Sequence, residues 1–489
     1  MKKNNDVKFK VFDGFIWTFA ERFGAQGVGF IVSLIIARLL EPSVYGVVAL
    51  INVFIFILEV FIDSGLGTAL VQKKDADDTD FSSVFYFNLV MSVALYFIMF
   101  FCAPPIAKFY NNSDLILLIR VISITLLVSG VKSIQFAFLT KHLLFKKMFF
   151  STLGGTVFSA VIGIYLAYNN YGVWALIVQS LSNNLIDTII LWFTVKWRPK
   201  SKFSLQRLKV LLSYGWKLLI SAILDRGYGK LRDLIIGKIY TTSDLAYYNN
   251  ASYISSSAMH VINSSIDTVL LPVMSSVQDN KETVKTMTRR AITTSVFIIA
   301  PMLFGLSACA ELLISLVLTD KWLPTIPYLR IFCFTYVFYP IHTANLSAIK
   351  AMGRSDLFLK LEIIKKVVGL IAIIVTMRIS VMAMAISAIF VNILSQIINA
   401  WPNKKLLDYS YLEQLKDIIP YLMLSAFMFA CVYPVRYLNL PDLVILFIQV
   451  SLGIVIYLGL SKLFKIEALE YVLSIIKPIA KSILNKQEQ

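Results

Sequence analysis

Apolar residues run along this chain in blocks of about twenty or more, broken by short polar stretches. A block of that length is what a helix needs to cross the hydrocarbon core of a bilayer. The pattern predicts an all-α, polytopic membrane protein with 14 transmembrane helices, at about 11–40, 43–71, 81–106, 115–139, 148–168, 172–195, 209–240, 244–271, 287–318, 325–349, 356–377, 380–401, 417–435 and 441–463. The connections between them are short and leave no room for a soluble domain, an ATP-binding cassette or an extracellular enzyme module. The opening MKKNNDVKFK has the basic character of a signal peptide, but the apolar segment runs on to Leu40 without a small-residue cleavage site. It is expected to stay as the first span.

Composition agrees with lipid as the solvent. Of 489 residues, 58% are hydrophobic and 15% charged, where a soluble domain carries roughly 25% charged residues. The four cysteines, Cys102, Cys309, Cys333 and Cys431, lie in apolar runs with no CxxC pair and read as packed residues. A net charge of +17 would suggest nucleic acid in a soluble protein, but its distribution gives another reason. With the N-terminus in the cytoplasm, thirty Lys and Arg fall in inside segments and six outside, the densest inside loop reading KWRPKSKFSLQRLK from Lys196 to Lys209. That bias puts both termini in the cytoplasm, and no nucleic-acid partner is expected. Ten basic residues remain at membrane depth.

An internal repeat is visible at a constant shift of 200 positions. Ile35-Ile36-Ala37-Arg38-Leu39 meets Ile235-Ile236-Gly237-Lys238-Ile239, Ser43 meets Ser243, and Ile62-Asp63-Ser64 meets Ile262-Asn263-Ser264. Six spans separate the two copies, so they share one orientation in the membrane. The expected architecture is two six-helix lobes in parallel repeat, 1–200 and 201–405, followed by two extra helices and a cytoplasmic tail at 406–489. In carriers built this way the substrate path lies between the halves and access alternates.

The stretches IIARLLEPSVYGVVAL, FIDSGLGTALVQKKD and DFSSVFYFN, with LRDLIIGKIYTTSDLAYYNNA, LPVMSSVQDNKETVKTMTRRA, LTDKWLPTIPYLRI and AIKAMGRSDLFLKLEIIKK, resemble in order and spacing the Wzx-like polysaccharide-unit flippases. These belong to the multidrug/oligosaccharidyl-lipid/polysaccharide exporter superfamily. The resemblance covers roughly residues 10–400. It implies a V-shaped cavity between two lobes and movement of an undecaprenyl-diphosphate-linked oligosaccharide from the cytoplasmic to the periplasmic leaflet, for exopolysaccharide, capsule or lipopolysaccharide. It also implies the bacterial inner membrane, a monomer, and the polymerase and glycosyltransferases of the same pathway as partners.

Charges within the spans locate the candidate site. Asp225, Arg226, Lys230, Arg232 and Asp233 lie near the centre of one predicted span, and facing lipid they would together cost more than about 10 kcal/mol. They are expected to face a partner helix or a wet cavity. Arg226, Lys230 and Asp233 share a face at i, i+4 and i+7, and under the 200-residue shift Arg22 falls one turn from Arg226. Arg22, Arg226, Lys230 and Arg232 are candidates to attract a diphosphate, since guanidinium groups match phosphate oxygens with two-pronged hydrogen bonds. The alternative is that Glu21, Asp225 and Asp233 neutralise them in ion pairs. Arg330, Lys365 and Lys366 are further candidates, although Glu362 at i−4 could simply pair with Lys366. Asp63, Asp187, Asp225 and Asp267 are the carboxylates at which proton or sodium coupling would be read, with capping or ion pairing as the alternative. His260 and His342 read as satisfied polar residues. Tyr247, Tyr248, Trp322, Tyr328 and Tyr339 suit an aromatic belt.

The sequence has no GxxxxGK[ST], HExxH or GxSxG, so neither catalysis, a cofactor nor a metal is expected. Two other functions compete with the flippase. A cation-coupled multidrug exporter of the same superfamily would want an acidic or apolar pocket. A membrane glycosyltransferase or polymerase would want a long outside loop, and the longest expected here is under about ten residues.

Overall fold

The computed structural model describes residues 24, 26–63, 65–73, 75–200 and 203–474, and within these the side chains of Asp63 and Asp267 lie outside the described part. Where they are described, the apolar blocks are helical, because a chain in lipid must satisfy its backbone polar groups within the segment. The helices are α1 (Gln26–Leu39), α2 (Pro42–Asp63), α3 (Leu66–Gln72), α4 (Asp78–Tyr110), α5 (Leu115–Ile122), α6 (Ile124–Lys141), α7 (Phe145–Tyr168), α8 (Val173–Thr194) and α9 (Leu205–Ile239). They continue as α10 (Thr242–Ser276), α11 (Lys281–Ala308), α12 (Ala310–Leu318), α13 (Thr325–Val337), α14 (Tyr339–Ala351), α15 (Ser355–Thr376), α16 (Val381–Leu406), α17 (Tyr411–Val432) and α18 (Asp442–Leu463). No strand occurs among the described residues. Among the same residues, nine helical segments are long and apolar enough to cross a membrane, and Gly27–Leu39 is a shorter apolar helix. The 35-residue helices α9 and α10 have the length, but their polar residues keep them out of that set.

The repeat is written into the backbone. α1 ends at Leu39 and α2 begins at Pro42, while α9 ends at Ile239 and α10 begins at Thr242. Ile36 and Ile236, equivalent under the shift, are both fully buried, and their carbonyls accept from the N–H of Leu40 at 3.0 Å and of Tyr240 at 2.8 Å.

The chain divides into two compact units at Ala246/Tyr247, whereas the sequence repeat put the lobe boundary at 200. In the first unit α9 packs on α2, α3 and α4. Backbone approaches explain the fit. Gly65 sits at φ +96°, in the left-handed region, and a Cβ there would stand 2.4 Å from the Gly215 carbonyl oxygen. A Cβ on Gly46 would stand 1.8 Å from the carbonyl oxygen of Thr242. α2 is therefore held against α9 near one end, and against the start of α10 at the other, at distances only glycine allows.

The basic loop is fastened at the end of this unit that the charge bias assigns to the cytoplasm. Asp77 caps α4 in a capping box with Asp80, and Arg207 reaches Asp77 at 2.6 Å while Lys73 reaches the fully buried Asp80 at 2.6 Å. Lys200 pairs with Asp78 at 2.5 Å. Trp197, packed against Phe81, Phe85 and Phe138, donates its indole N–H to Asp78 at 3.2 Å. Other members of the basic set finish helices: Lys147 donates to the Thr194 carbonyl at 2.6 Å and Arg198 to that of Val195 at 2.5 Å, where the helix dipole favours a cation.

The second unit is closed by a buried amide network. Asn345 and Gln414 exchange hydrogen bonds at 2.7 and 3.0 Å, and Asn403 donates to the Asn345 side-chain oxygen at 2.6 Å. All three residues are fully buried. They tie α14, α16 and α17 together. Trp322 and Tyr248, expected at a membrane interface, are instead buried. Trp322 lies edge-on to Tyr247, and Tyr248 edge-on to Tyr328 and Phe332, because large rings gain most by burying their whole area.

Candidate functional site

Three helices of the first unit carry a polar stripe at helical spacing. α2 contributes Asn52, Phe56 and Glu59; α6 contributes Thr125, Ser129 and Lys132. α8 contributes Ser180 and Asn184 to the same cavity, with Asp187 the next residue along that face. Residues at i, i+4 and i+7 share one helix face, so each stripe points one way, and together they enclose about 300 Å³.

Lys132 organises the interior of this cavity. Its ammonium donates to the Asn184 side-chain oxygen at 3.1 Å and to the Asp187 carboxylate at 3.3 Å. Asp187 is 4% exposed and accepts a further short hydrogen bond from Ser151. Across the cavity, Ser129 lies 3.5 Å from the Glu59 carboxylate. Removing Lys132 would strand a buried carboxylate, which costs far more than the intact pair contributes.

The residues singled out from the sequence fall into separate settings. Arg22 lies outside the described residues, as do the side chains of Asp63 and Asp267. On α9, Asp225 and Arg226 are exposed and Arg232 is half-buried. The Arg232 Nε is buried and without a hydrogen bond among the described residues. Lys230 pairs with Asp233 at 2.8 Å, as the ion-pair alternative anticipated, and its ammonium stands 5.8 Å from the centre of the Phe56 ring. α9 thereby brings a cation beside a residue that lines the cavity. Asp187 joins the cavity group directly.

In the second unit, Arg330 binds Glu311 at 2.9 Å, and Arg436 binds the same carboxylate. Both guanidinium groups stand over the Tyr433 ring, at 5.5 and 5.1 Å from its centre. Arg330 borders a cavity of about 220 Å³ whose other walls include Leu303, Phe304, Phe334 and Phe429. Glu362 bonds Lys365 at 2.5 Å, the residue one turn away at i+3, and Lys365 is buried. Lys366 is half-buried. The His342 ring meets the Asn399 amide at 2.6 Å, the satisfied polar role expected of it.

Sequence reasoning passed over Asn52, Glu59, Lys132 and Asn184. Their signal was present as polar positions at helical spacing within otherwise apolar spans.

Comparison with known proteins adds an independent line. The chain matches the family described as polysaccharide biosynthesis protein over residues 35–327. It is 26% identical over 306 residues to the teichuronic acid biosynthesis protein TuaB of Bacillus subtilis (strain 168), spanning 61% of this chain and 62% of that relative's length. It is 24% identical over 463 residues to the lipopolysaccharide biosynthesis protein WzxC of Escherichia coli (strain K12), spanning 92% of this chain and 89% of the relative. Among solved structures, the lipid II flippase MurJ in an inward closed conformation superposes with a TM-score of 0.75 over 92% of this chain and 98% of that one, at 16% identity. That likeness shows a shared fold.

Proposed function

Since the chain belongs to the polysaccharide biosynthesis protein family, matched over residues 35–327, we propose that it is a flippase for a lipid-linked oligosaccharide. It moves an undecaprenyl-diphosphate-linked repeat unit from the cytoplasmic to the periplasmic leaflet by alternating access through a cationic central cavity. The observation that carries this reading is the family match, and polar and charged side chains collected at the depth of apolar spans support it, because a hydrophilic head needs a wet route while its polyprenyl tail stays in lipid. Arg226 and Arg232 are the proposed diphosphate contacts on α9, with Arg22 as the equivalent in the other repeat. Lys230, Arg330 and Lys366 supply further positive charge. Asp187, held by Lys132 and Ser151, is the proposed coupling carboxylate, with Asp63, Asp225 and Asp267 as alternatives. Both termini face the cytoplasm, and the pathway's polymerase and glycosyltransferases are the expected partners of a monomeric carrier.

Deleting the gene tests the reading. Lipid-linked repeat units should accumulate inside the cell while surface polysaccharide is lost, and expression of the Arg226→Ala variant should restore export less well than Arg226→Lys. Unchanged polysaccharide together with altered drug resistance would overturn the reading in favour of a multidrug exporter. Full export by both variants would remove Arg226 from the site and leave the flippase standing.

A further inference from the structure

The cavity of the first unit has a chemistry of its own. The charged groups of its wall are one ammonium, Lys132, and one carboxylate, Glu59, and the ammonium is already paired with Asp187 behind it. A free phosphate or diphosphate entering the cavity would meet Glu59 with no unspent cation to offset it, so a bare anion is not favoured. The remaining polar groups are the amides of Asn52 and Asn184 and the hydroxyls of Thr125, Ser129 and Ser180. Thr125 already donates to the Ile122 carbonyl at 2.6 Å, and Asn184 accepts from Lys132 and donates to the Ser180 carbonyl, so a ligand would use their remaining lone pairs together with the Asn52 amide. One aromatic ring, Phe56, completes the wall. A volume of about 300 Å³ is at the lower end of small-molecule sites and equals the liquid share of about ten waters.

A ligand that fits this set is neutral, compact and rich in hydroxyl groups, with an apolar face for a ring. We propose that the cavity is a sugar subsite, which takes the saccharide nearest the diphosphate of the carried lipid; this rests on the flippase reading above. Its hydroxyls replace the hydrogen bonds of displaced water, and its C–H face lies on Phe56. Lys230, 5.8 Å from that ring and paired with Asp233, sets α9 on the Phe56 side, where the diphosphate joined to the sugar would lie. α9 then holds the part common to every such lipid, while α2, α6 and α8 inspect the part that differs.

Full-length protein in proteoliposomes tests this with two probes, undecaprenyl diphosphate bearing one glucose and undecaprenyl diphosphate alone. The quantity read is the ratio of kcat/KM for the two, which cancels any loss of folded protein. Asn52→Leu and Thr125→Val should each lower the ratio, by about tenfold for a lost hydrogen bond worth about 1.4 kcal/mol. Arg226→Ala should lower both values and leave the ratio in place. Cavity variants with an unchanged ratio overturn the subsite while leaving the flippase intact. The same holds if they shift only the proton or sodium dependence, which would make the cavity an ion site. Movement of neither lipid by the wild-type protein overturns a subsite that accepts this sugar, and the gene deletion described above decides separately whether the flippase reading stands.

Discussion

The two units each bury polar side chains at membrane depth, and they do so to different ends. In the second unit, Asn345, Gln414 and Asn403 bond directly to one another, with the Asn403 side-chain oxygen left over among the described residues, and a cavity of about 220 Å³ there is walled mostly by Leu and Phe, with Arg330 and Ser307 at its border. In the first unit, Lys132, Asn184 and Glu59 stand around an open volume of about 300 Å³. Amides that close on themselves act as glue between helices. Amides and charges left around a space are dressed for a visitor. The presence of polar residues in a span therefore says little until one asks whether they satisfy each other or surround room.

The largest effect should come from the filled interior. Asn345→Leu leaves the buried Gln414 side-chain oxygen without its donor, at about 1–3 kcal/mol, and leaves the Asn403 and Gln414 N–H groups only their main-chain partners at Asn345 and Tyr409, so the purified protein should melt lower. Transport per folded molecule should be little changed. Normal melting with lost transport would erase the distinction between the units.

The next effect sharpens it from the other side. Asp187→Leu leaves the Lys132 ammonium without its carboxylate partner and should cost about 3 kcal/mol. Adding Lys132→Leu should recover most of that stability, since a buried pair is often replaceable by apolar residues. Transport should stay impaired in the double variant. If it returns along with stability, the pair is structural, as in the second unit.

The smallest effect concerns groups outside both interiors. Arg207 holds the Asp77 carboxyl below its usual range through a hydrogen bond and opposite charge. A lowered pKa means that the contact stabilises the folded state above the ordinary carboxylate value of about 3.9 and is lost as pH falls through the lower folded value. Both partners are about half exposed, so screening keeps the gain small. Hydrogen exchange of residues 203–208, corrected for intrinsic rate, should rise at most a few-fold on acidification and stay flat near neutrality. A steep change near pH 7 would mean that some other group fastens the loop.

The sequence made the spans legible because their cause is local: twenty apolar residues dictate a helix whatever its neighbours. The corner at Leu39–Pro42 and its copy at Ile239–Thr242 were readable for the same reason. The cavity was only half legible. Asp187 stood out as a carboxylate in an apolar run, but its partner Lys132 lies 55 positions earlier, and only packing of α6 on α8 brings them together. The charge density of α9 drew attention instead, and there Lys230 had a partner three residues away. Local density marks where charges are many; it does not mark where they meet a space.

Gly46 against Thr242 and Gly65 against Gly215 fasten α2 at its two ends by bare main chain, with Leu50 seated on Gly237 between them. A clasp of main chain on main chain has no side group to unpick tooth by tooth. It is shut or it is parted, and a single methyl at either clasp would wedge it. Such clasps suit a machine that must let go at one end while staying fastened at the other.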